Sequence, residues 1–203
     1  MPIGINGSGT VTGISVGGLP DGIVDADMIA ADAITAAKIG SKTFTSYAII
    51  ADVKASNGDG GTFTTGAWRT RDLNTELSDE DSIVSISSNQ FTLAAGSYLI
   101  IFSAPALRVN SHQLRLYNIT SSAAVQSGNV EYSASGSGKS GNTANGSARV
   151  VISSSTVFEI QHRCAYTQSS YGFGAGTSGA LDWAGDTATT GAIYCIVEIY
   201  KEA

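Results

Sequence analysis

The chain has 203 residues, of which only 14% are charged, and its formal net charge at pH 7 is −6. This acidic balance excludes a protein that binds the nucleic-acid backbone, because such proteins need a concentrated basic face. No run of about eighteen apolar residues occurs, so we expect no membrane insertion. The two cysteines do not make a disulfide framework and no secretory signal is visible, so we expect folding in a reducing cytoplasm.

Residues 1–45 are predicted to be an N-terminal arm and linker ahead of a domain that covers residues 46–203. The first half of the arm is rich in glycine and carries isolated aliphatic side chains, among them Ile3, Ile5, Val11 and Ile14. It buries too little apolar surface to order itself, because each fixed residue costs about 1 to 2 kcal/mol of backbone entropy. We therefore expect a partner chain to order the arm through these aliphatic residues.

The linker that follows reads DADMIAADAITAAKIG, with Asp25 and Asp27 near its start and Lys38 near its end. Acidic residues early and a basic residue before a glycine are typical of a helix. The three-four spacing of isoleucine and alanine suits a slender coiled coil of two or three chains. A surface helix on the main domain and a non-helical linker remain open alternatives.

From Ser46 onward the pattern predicts short strands between Gly, Ser and Asn turns, which indicates an all-β antiparallel sandwich or barrel. The strand candidates are 46–55, 63–73, 82–88, 96–104, 113–119, 124–132, 148–153, 156–165 and 192–200. The last strand is apolar on both faces, so we expect a neighbouring subunit to cover the face that carries Tyr194 and Tyr200.

Two segments of low complexity are predicted to be long loops, 133–147 and 171–191. The first has the composition of a flexible connection. The second carries Tyr171, Phe173 and Trp183, aromatic residues that could stack on sugar rings. Long loops on a rigid β-scaffold often bind ligands, so we expect these aromatic residues to contact another molecule.

The densest cluster of reactive residue types is GTFTTGAWRTRDLNTE, residues 61–76. Its glycine spacing fits a phosphate-binding loop, but Ala67 and Trp68 stand where that motif needs Lys and Ser or Thr. We interpret the stretch as a hairpin and strand with Trp68 inward and Arg69 and Arg71 facing solvent or the next subunit. Arginine suits such an interface because its planar fork holds a carboxylate with two hydrogen bonds.

No catalytic, cofactor or metal site is predicted. His162 and Cys164 could share a face, but a metal would need more ligands than the nearby sequence offers. The acidic residues 76–81 do not have the spacing of a calcium loop and are interpreted as a solvated turn.

The run QFTLAAGSYLIIFS, with Phe91, Gly96 and Tyr98, resembles the central signature of jelly-roll domains in complement heads and tumour-necrosis-factor relatives. Together, GTFTTGAWRTRDLNTE, SHQLRLYNIT, FEIQHRCAYTQSSYGFG and the terminal VEIYKEA are similar to a C-terminal domain of tailed-bacteriophage fibres and related appendages. The opening arm resembles the arms that precede such domains. The resemblance implies a homotrimer: jelly rolls around a threefold axis, with their arms running toward an attachment point.

On this basis we expect a non-enzymatic virion protein, assembled in the host cytoplasm. It would be a tail or baseplate fibre whose arm docks on other virion proteins and whose head contacts a host surface glycan or protein. The alternative is a capsid decoration protein whose arms lace over the shell. An enzyme that trims surface glycans would need paired carboxylates in a cleft, and no such pair is marked in the sequence.

Overall fold

The computed structural model of the chain describes residues 44–55, 58–135, 140–176 and 191–203. These residues form β-strands and no helix. In chain order the strands are β1 Phe44–Lys54, β2 Arg69–Thr70, β3 Thr75–Ser78, β4 Val84–Ser87, β5 Gln90–Leu93, β6 Gly96–Leu107, β7 Asn110–Asn118, β8 Ala123–Ser133, β9 Gly141–Ile152, β10 Thr156–Cys164 and β11 Ala192–Glu202.

The strands make two antiparallel sheets that pack face to face. The first sheet has the order β3-β1-β11-β6-β9, and the second has the order β4-β5-β10-β7-β8, with β2 added beside β10. Neighbours in each sheet are mostly distant in sequence, as when β1 pairs with β11 along nearly its whole length. The predicted all-β antiparallel jelly-roll sandwich is therefore confirmed.

The core lies between the sheets and follows from the alternation of apolar residues along the long strands. On β6, Tyr98, Ile100 and Phe102 point inward and are essentially fully buried. Across from them the second sheet supplies Phe91 and Phe158, whose rings stack with centroids 5.6 Å apart. Both aromatic residues of the central signature are thus core residues.

The sheets approach each other closely where β8 meets β9. A Cβ atom at Gly128 would lie 2.3 Å from the carbonyl oxygen of Asn145, so only glycine fits there. The side chain of Asn129 accepts a hydrogen bond from the amide of Asn145 at 2.6 Å. The close backbone approach and this hydrogen bond, rather than apolar side-chain packing, therefore hold β8 against β9 at this edge of the sandwich.

Several predicted boundaries are wrong. The expected strand 63–73 is mainly irregular, with only β2 and one isolated bridge, at Phe63, inside it. The strands β3 and β5 are not among the predicted strands. The expected loop 133–147 is largely strand, because β9 begins at Gly141 and pairs with β6 to the end of that strand. Gly, Asn and Ala are depleted in strands, but this strand gains its order from the partner it pairs with.

Within the described parts of the chain, no helix is long and apolar enough to cross a bilayer. The predicted arm with Ile3, Ile5, Val11 and Ile14 lies outside the described residues, and so does the linker segment 25–40. The boundary between arm and head near residue 45 stays a prediction.

Candidate functional site

The side of the first sheet that faces away from the core is unusually apolar. The pairing places Tyr47, Tyr200 and Leu99 in one row across β1, β11 and β6. Ile49, Glu198 and Ile101 form the next row. Residues directly opposite each other in an antiparallel pair point to the same face, so all of these side chains leave the sandwich on one side. We call this side the outer face; its apolar members are Tyr47, Ile49, Leu99, Ile101, Val151, Ile196 and Tyr200.

The outer face is accessible in the single chain. Tyr47 is 48% exposed, Ile101 37% and Val151 66%. An antiparallel sheet with one face in the core usually turns polar residues to water on the other. A contiguous apolar patch in that place is typical of a surface that another protein covers.

The charged groups on the outer face are paired within the chain. Arg149 holds the carboxylate of Glu202 with two hydrogen bonds, from Nε at 2.7 Å and Nη2 at 2.6 Å. This carboxylate raises the pKa of the guanidinium. The hydroxyl of Tyr200 donates to Glu198 at 2.8 Å, and the ring of Phe44 lies 5.2 Å from that of Tyr200. The charges of Arg149 and Glu202 are therefore neutralised at short range, whereas Glu198 keeps its negative charge beside the hydroxyl of Tyr200.

Tyr194 does not lie on the outer face, which corrects the predicted pairing with Tyr200. It is buried, and its hydroxyl donates to the carbonyl of Gly58 at 2.6 Å. The cause is a bulge: Asp52 pairs with Cys195 but Val53 pairs with Ile193, so Tyr194 is an extra residue on β11. The bulge turns Tyr194 inward and leaves Ile193 exposed. The predicted outward facing of Tyr194 is therefore wrong, whereas the intersubunit role of Tyr200 stays a prediction.

Arg71 is the largest correction to the sequence interpretation. Its side chain is 0% exposed, whereas Trp68 is only half-buried on the outside of the second sheet. Arg71 therefore cannot face solvent or another subunit. The sequence did contain a signal: Leu73 is buried two residues further on, and period-two alternation puts Arg71 on the same side as Leu73 and opposite to Trp68.

Arg69 is half-buried and also makes contacts within its own chain. Its guanidinium donates to the carbonyls of Thr64 at 3.1 Å and Thr65 at 3.4 Å. These bonds hold the loop that precedes β2. Its predicted contact with another subunit stays a prediction.

The buried guanidinium of Arg71 joins three backbone segments. It donates to the carbonyls of Phe173 at 3.1 Å, Pro105 at 3.5 Å and, through Nη2, Tyr194. It also lies 4.1 Å from the ring centroid of Phe173. Burial lowers the pKa of Arg71, while the carboxylates of Asp52 and Asp72 favour its charged form. Arg71 thus fixes the residues on both sides of the segment 177–190.

The described residues at the start of the predicted contact loop make contacts within the domain. The ring of Phe173 stacks on Phe63 at 4.3 Å, which makes it a packing residue rather than an open contact. Tyr171 is half-buried, and its hydroxyl accepts a hydrogen bond from Arg108 at 3.1 Å. Trp183 lies outside the described residues, so its predicted role in host contact stays a prediction.

Sequence reasoning missed a buried pair of histidines. His112 Nδ1 and His162 Nε2 are 3.0 Å apart, although the residues are fifty positions apart in the chain. Burial and the nearby Arg71 lower the pKa of His112 to about 4 and that of His162 well below its usual value. Both rings are therefore neutral at pH 7, and the remaining nitrogen of each has no partner among the described residues.

The cysteines are not arranged for nucleophilic chemistry. Burial raises the pKa of Cys164 to about 11 and that of Cys195 to about 12, so both are thiols at neutral pH. Both are free. No group of three or more metal-ligating side chains occurs within the described part of the chain. The acidic turn is explained by Asp79, whose carboxylate accepts the amides of Ile83 at 2.8 Å and Val84 at 3.0 Å.

Comparison with known proteins identifies the fold of the domain and no family for the sequence. No protein-family model and no curated protein matches the sequence. The structure is similar to Eiger, a tumour-necrosis-factor protein from S. frugiperda, with a TM-score of 0.50 at 10% identity over 79% of this chain and 94% of that chain. It is also similar to the globular domain of zebrafish complement 1qA, with a TM-score of 0.45 at 13% identity over 76% of this chain and 95% of that chain.

The vertex protein P5 of PRD1 is a further similar structure, with a TM-score of 0.45 at 14% identity over 78% of this chain and 98% of that chain. At these identities the likeness concerns the fold alone. The domain is a jelly roll of the complement-head and tumour-necrosis-factor type, as the residues around Phe91 and Tyr98 predicted.

Proposed function

We propose that this chain is a structural protein of a tailed-bacteriophage virion, and that its jelly-roll domain is the head of a trimeric tail or baseplate fibre. The observation that carries the proposal is the apolar outer face of the first sheet. A second copy of the chain is its occupant, because the jelly-roll domains that the sequence resembles associate around a threefold axis. Covering Tyr47, Ile101 and Val151 in this way removes apolar surface from water. Each Å² of apolar surface that is buried stabilises the association by about 25 cal/mol.

In the proposed trimer, the arm and the head have separate tasks. The arm of each copy contacts other virion proteins through Ile3, Ile5, Val11 and Ile14. The head contacts the host surface, and Tyr171, Phe173 and Trp183 stay predicted contact residues. Three copies on one axis increase avidity without any new contact. The proposal includes no catalytic step.

The location on the particle is tested by imaging virions that carry this chain, with an antibody fragment raised against the purified head as the marker. Labelling at the tail tip or baseplate is the expected result. Labelling spread over the shell would contradict the fibre and support capsid decoration, in which the arms lace over the shell and the heads cap it.

Host contact is tested separately by adsorption competition. The purified chain, added in excess to host cells, should slow the adsorption of phage particles. Chain that neither binds the cells nor slows adsorption would contradict the host-contact role, while leaving a structural role in the virion intact.

A further inference from the structure

A second surface, on the outside of the second sheet, gathers two arginines around a tryptophan. The guanidinium of Arg115 on β7 lies 4.1 Å from the ring centroid of Trp68, and that of Arg163 on β10 lies 5.4 Å from it. Trp68 comes from the loop just before β2, which Arg69 holds in place. We call Trp68, Arg115 and Arg163 the arginine platform.

The platform arginines are at most partly neutralised by the chain itself, since the carboxylate of Glu159 favours the charged form of Arg115. Neither forms an ion pair with any described residue. Arg115 uses Nε to donate to Gln161 at 2.7 Å, which orients its guanidinium. The neighbouring carboxylate of Glu159 is buried and is held by the amides of Gln90 and Gln161. The chain as a whole has a net charge of −6. Two arginines without an ion pair lie on one indole ring, so the local charge at this surface is positive.

The surface around Arg163 is concave on both sides. One depression of about 400 Å³ is lined by Thr65, Gly66, Trp68 and Arg163. The other, of about 220 Å³, is lined by Ser111, Gln113, Val130 and Arg163. The larger volume falls in the range of small-ligand sites. Arg163 therefore lies between two shallow depressions, and each of them combines polar groups with an apolar side chain.

We propose that the arginine platform binds an acidic polysaccharide whose sugar residues carry carboxylates. A sugar ring would occupy each depression, and a carboxylate would bind the guanidinium groups of Arg163 and Arg115. Arginine is suited to a planar carboxylate because its fork matches the two oxygens. The inference rests on the proposed function in one respect: it names the class of host surface that the head would contact.

The chemistry of the rest of the chain favours a carboxylated sugar over a nucleic acid. A polyphosphate backbone carries a charge at every residue, and its binding needs a long basic face. The platform offers two cations beside an acidic body, which suits single carboxylates spaced along a neutral backbone. The aromatic ring and the serine and threonine side chains of the depressions match sugar carbons and hydroxyls.

The test is a titration of the unaltered full-length chain with oligogalacturonate, monitored by calorimetry. Binding is expected, and the fully methyl-esterified oligosaccharide, which lacks the charges, should bind at least about tenfold more weakly. Equal binding of the esterified and free forms, or no binding of the free form, would overturn the proposal.

Two variants localise the site. Arg163→Gln and Arg115→Gln should each weaken binding about tenfold or more. Arg108→Gln removes the same charge at the turn before β7 and should bind like the wild type. Near-ultraviolet circular dichroism checks that each variant is folded. If Arg163→Gln is folded and binds as tightly as Arg108→Gln, the platform is not the site.

Failure of this inference and failure of the trimer are distinguishable. A chain that is monomeric but binds oligogalacturonate contradicts the trimer and leaves the platform. A trimer that does not bind overturns the platform alone.

Discussion

Replacing Arg71 by alanine should destabilise the head by about 3 to 5 kcal/mol, because it leaves buried carbonyls unpaired and opens a cavity. The side chain is fully buried and donates to the carbonyls of Phe173, Pro105 and Tyr194. Without it, these carbonyls are unpaired in the interior, and each unpaired buried group costs about 1 to 3 kcal/mol. The side chain also leaves a cavity under the ring of Phe173, which adds to the loss.

Arg71→Met separates these contributions, because methionine fills much of the space but donates no hydrogen bond. We expect Arg71→Met to lose about 3 kcal/mol, the lower end of what three unpaired carbonyls cost, because the space stays largely filled. Urea denaturation of the two variants, with Arg69→Met as the control, measures the difference. Arg69 bonds only to loop carbonyls in a half-exposed position, so its variant should lose under about 1 kcal/mol.

Hydrogen exchange provides the local readout of the same prediction. In Arg71→Met, the amides of residues 171–176 and 191–195 should lose protection first, because Arg71 joins these segments. The reasoning is refuted if Arg71→Met is as stable as the wild type and keeps this protection.

Three further predictions concern other parts of the domain. Ile101→Arg on the outer face should convert the trimer into monomers, with a fold that is unchanged by circular dichroism. Val130→Arg on the other sheet is the control and should leave the mass in native solution unaltered. Equal masses for both variants would contradict the interface. Stability should fall as pH drops from about 6.5 to about 4, because the folded-state pKa of His112 lies below its unfolded value and the neutral ring is the one that the fold accommodates. For His112 alone the loss approaches about 3 kcal/mol, and His112→Gln should flatten this slope in acid titration of unfolding; an unchanged slope would exclude the buried pair with His162 as its cause. Gly128→Ala should lose about 1 to 3 kcal/mol in thermal unfolding, because its methyl group would overlap a backbone carbonyl of β9; a variant of wild-type stability would show that this edge can open.

The β-architecture could be predicted because it depends on local patterns. Alternating apolar residues along β6 and β11 identify strands by themselves, and the motif with Phe91 and Tyr98 identifies the jelly roll. The boundaries of β9 could not be predicted from its sequence, GNTANGSARVVI, since its polar half is ordered only by pairing with β6. Strand propensity is a property of context more than of the residue.

The site residues were harder to predict because their positions depend on irregular backbone. Tyr194 turns inward at a bulge that no periodicity reveals. The sequence interpretation assigns Arg71 to the surface because it takes Trp68 as the inward residue of a strand, which puts Arg71 on the opposite face. Backbone carbonyls from distant segments instead make the burial of Arg71 tolerable. The pair of His112 and His162 comes from neighbouring strands whose register is set by the whole sheet.

The central claim is that the outer face of the first sheet joins copies of the chain into a trimer. The most direct test is the mass of the purified full-length chain in native solution, by sedimentation equilibrium at micromolar concentration. The account predicts about three times the chain mass of 20.7 kDa. A mass equal to that of one chain would contradict it.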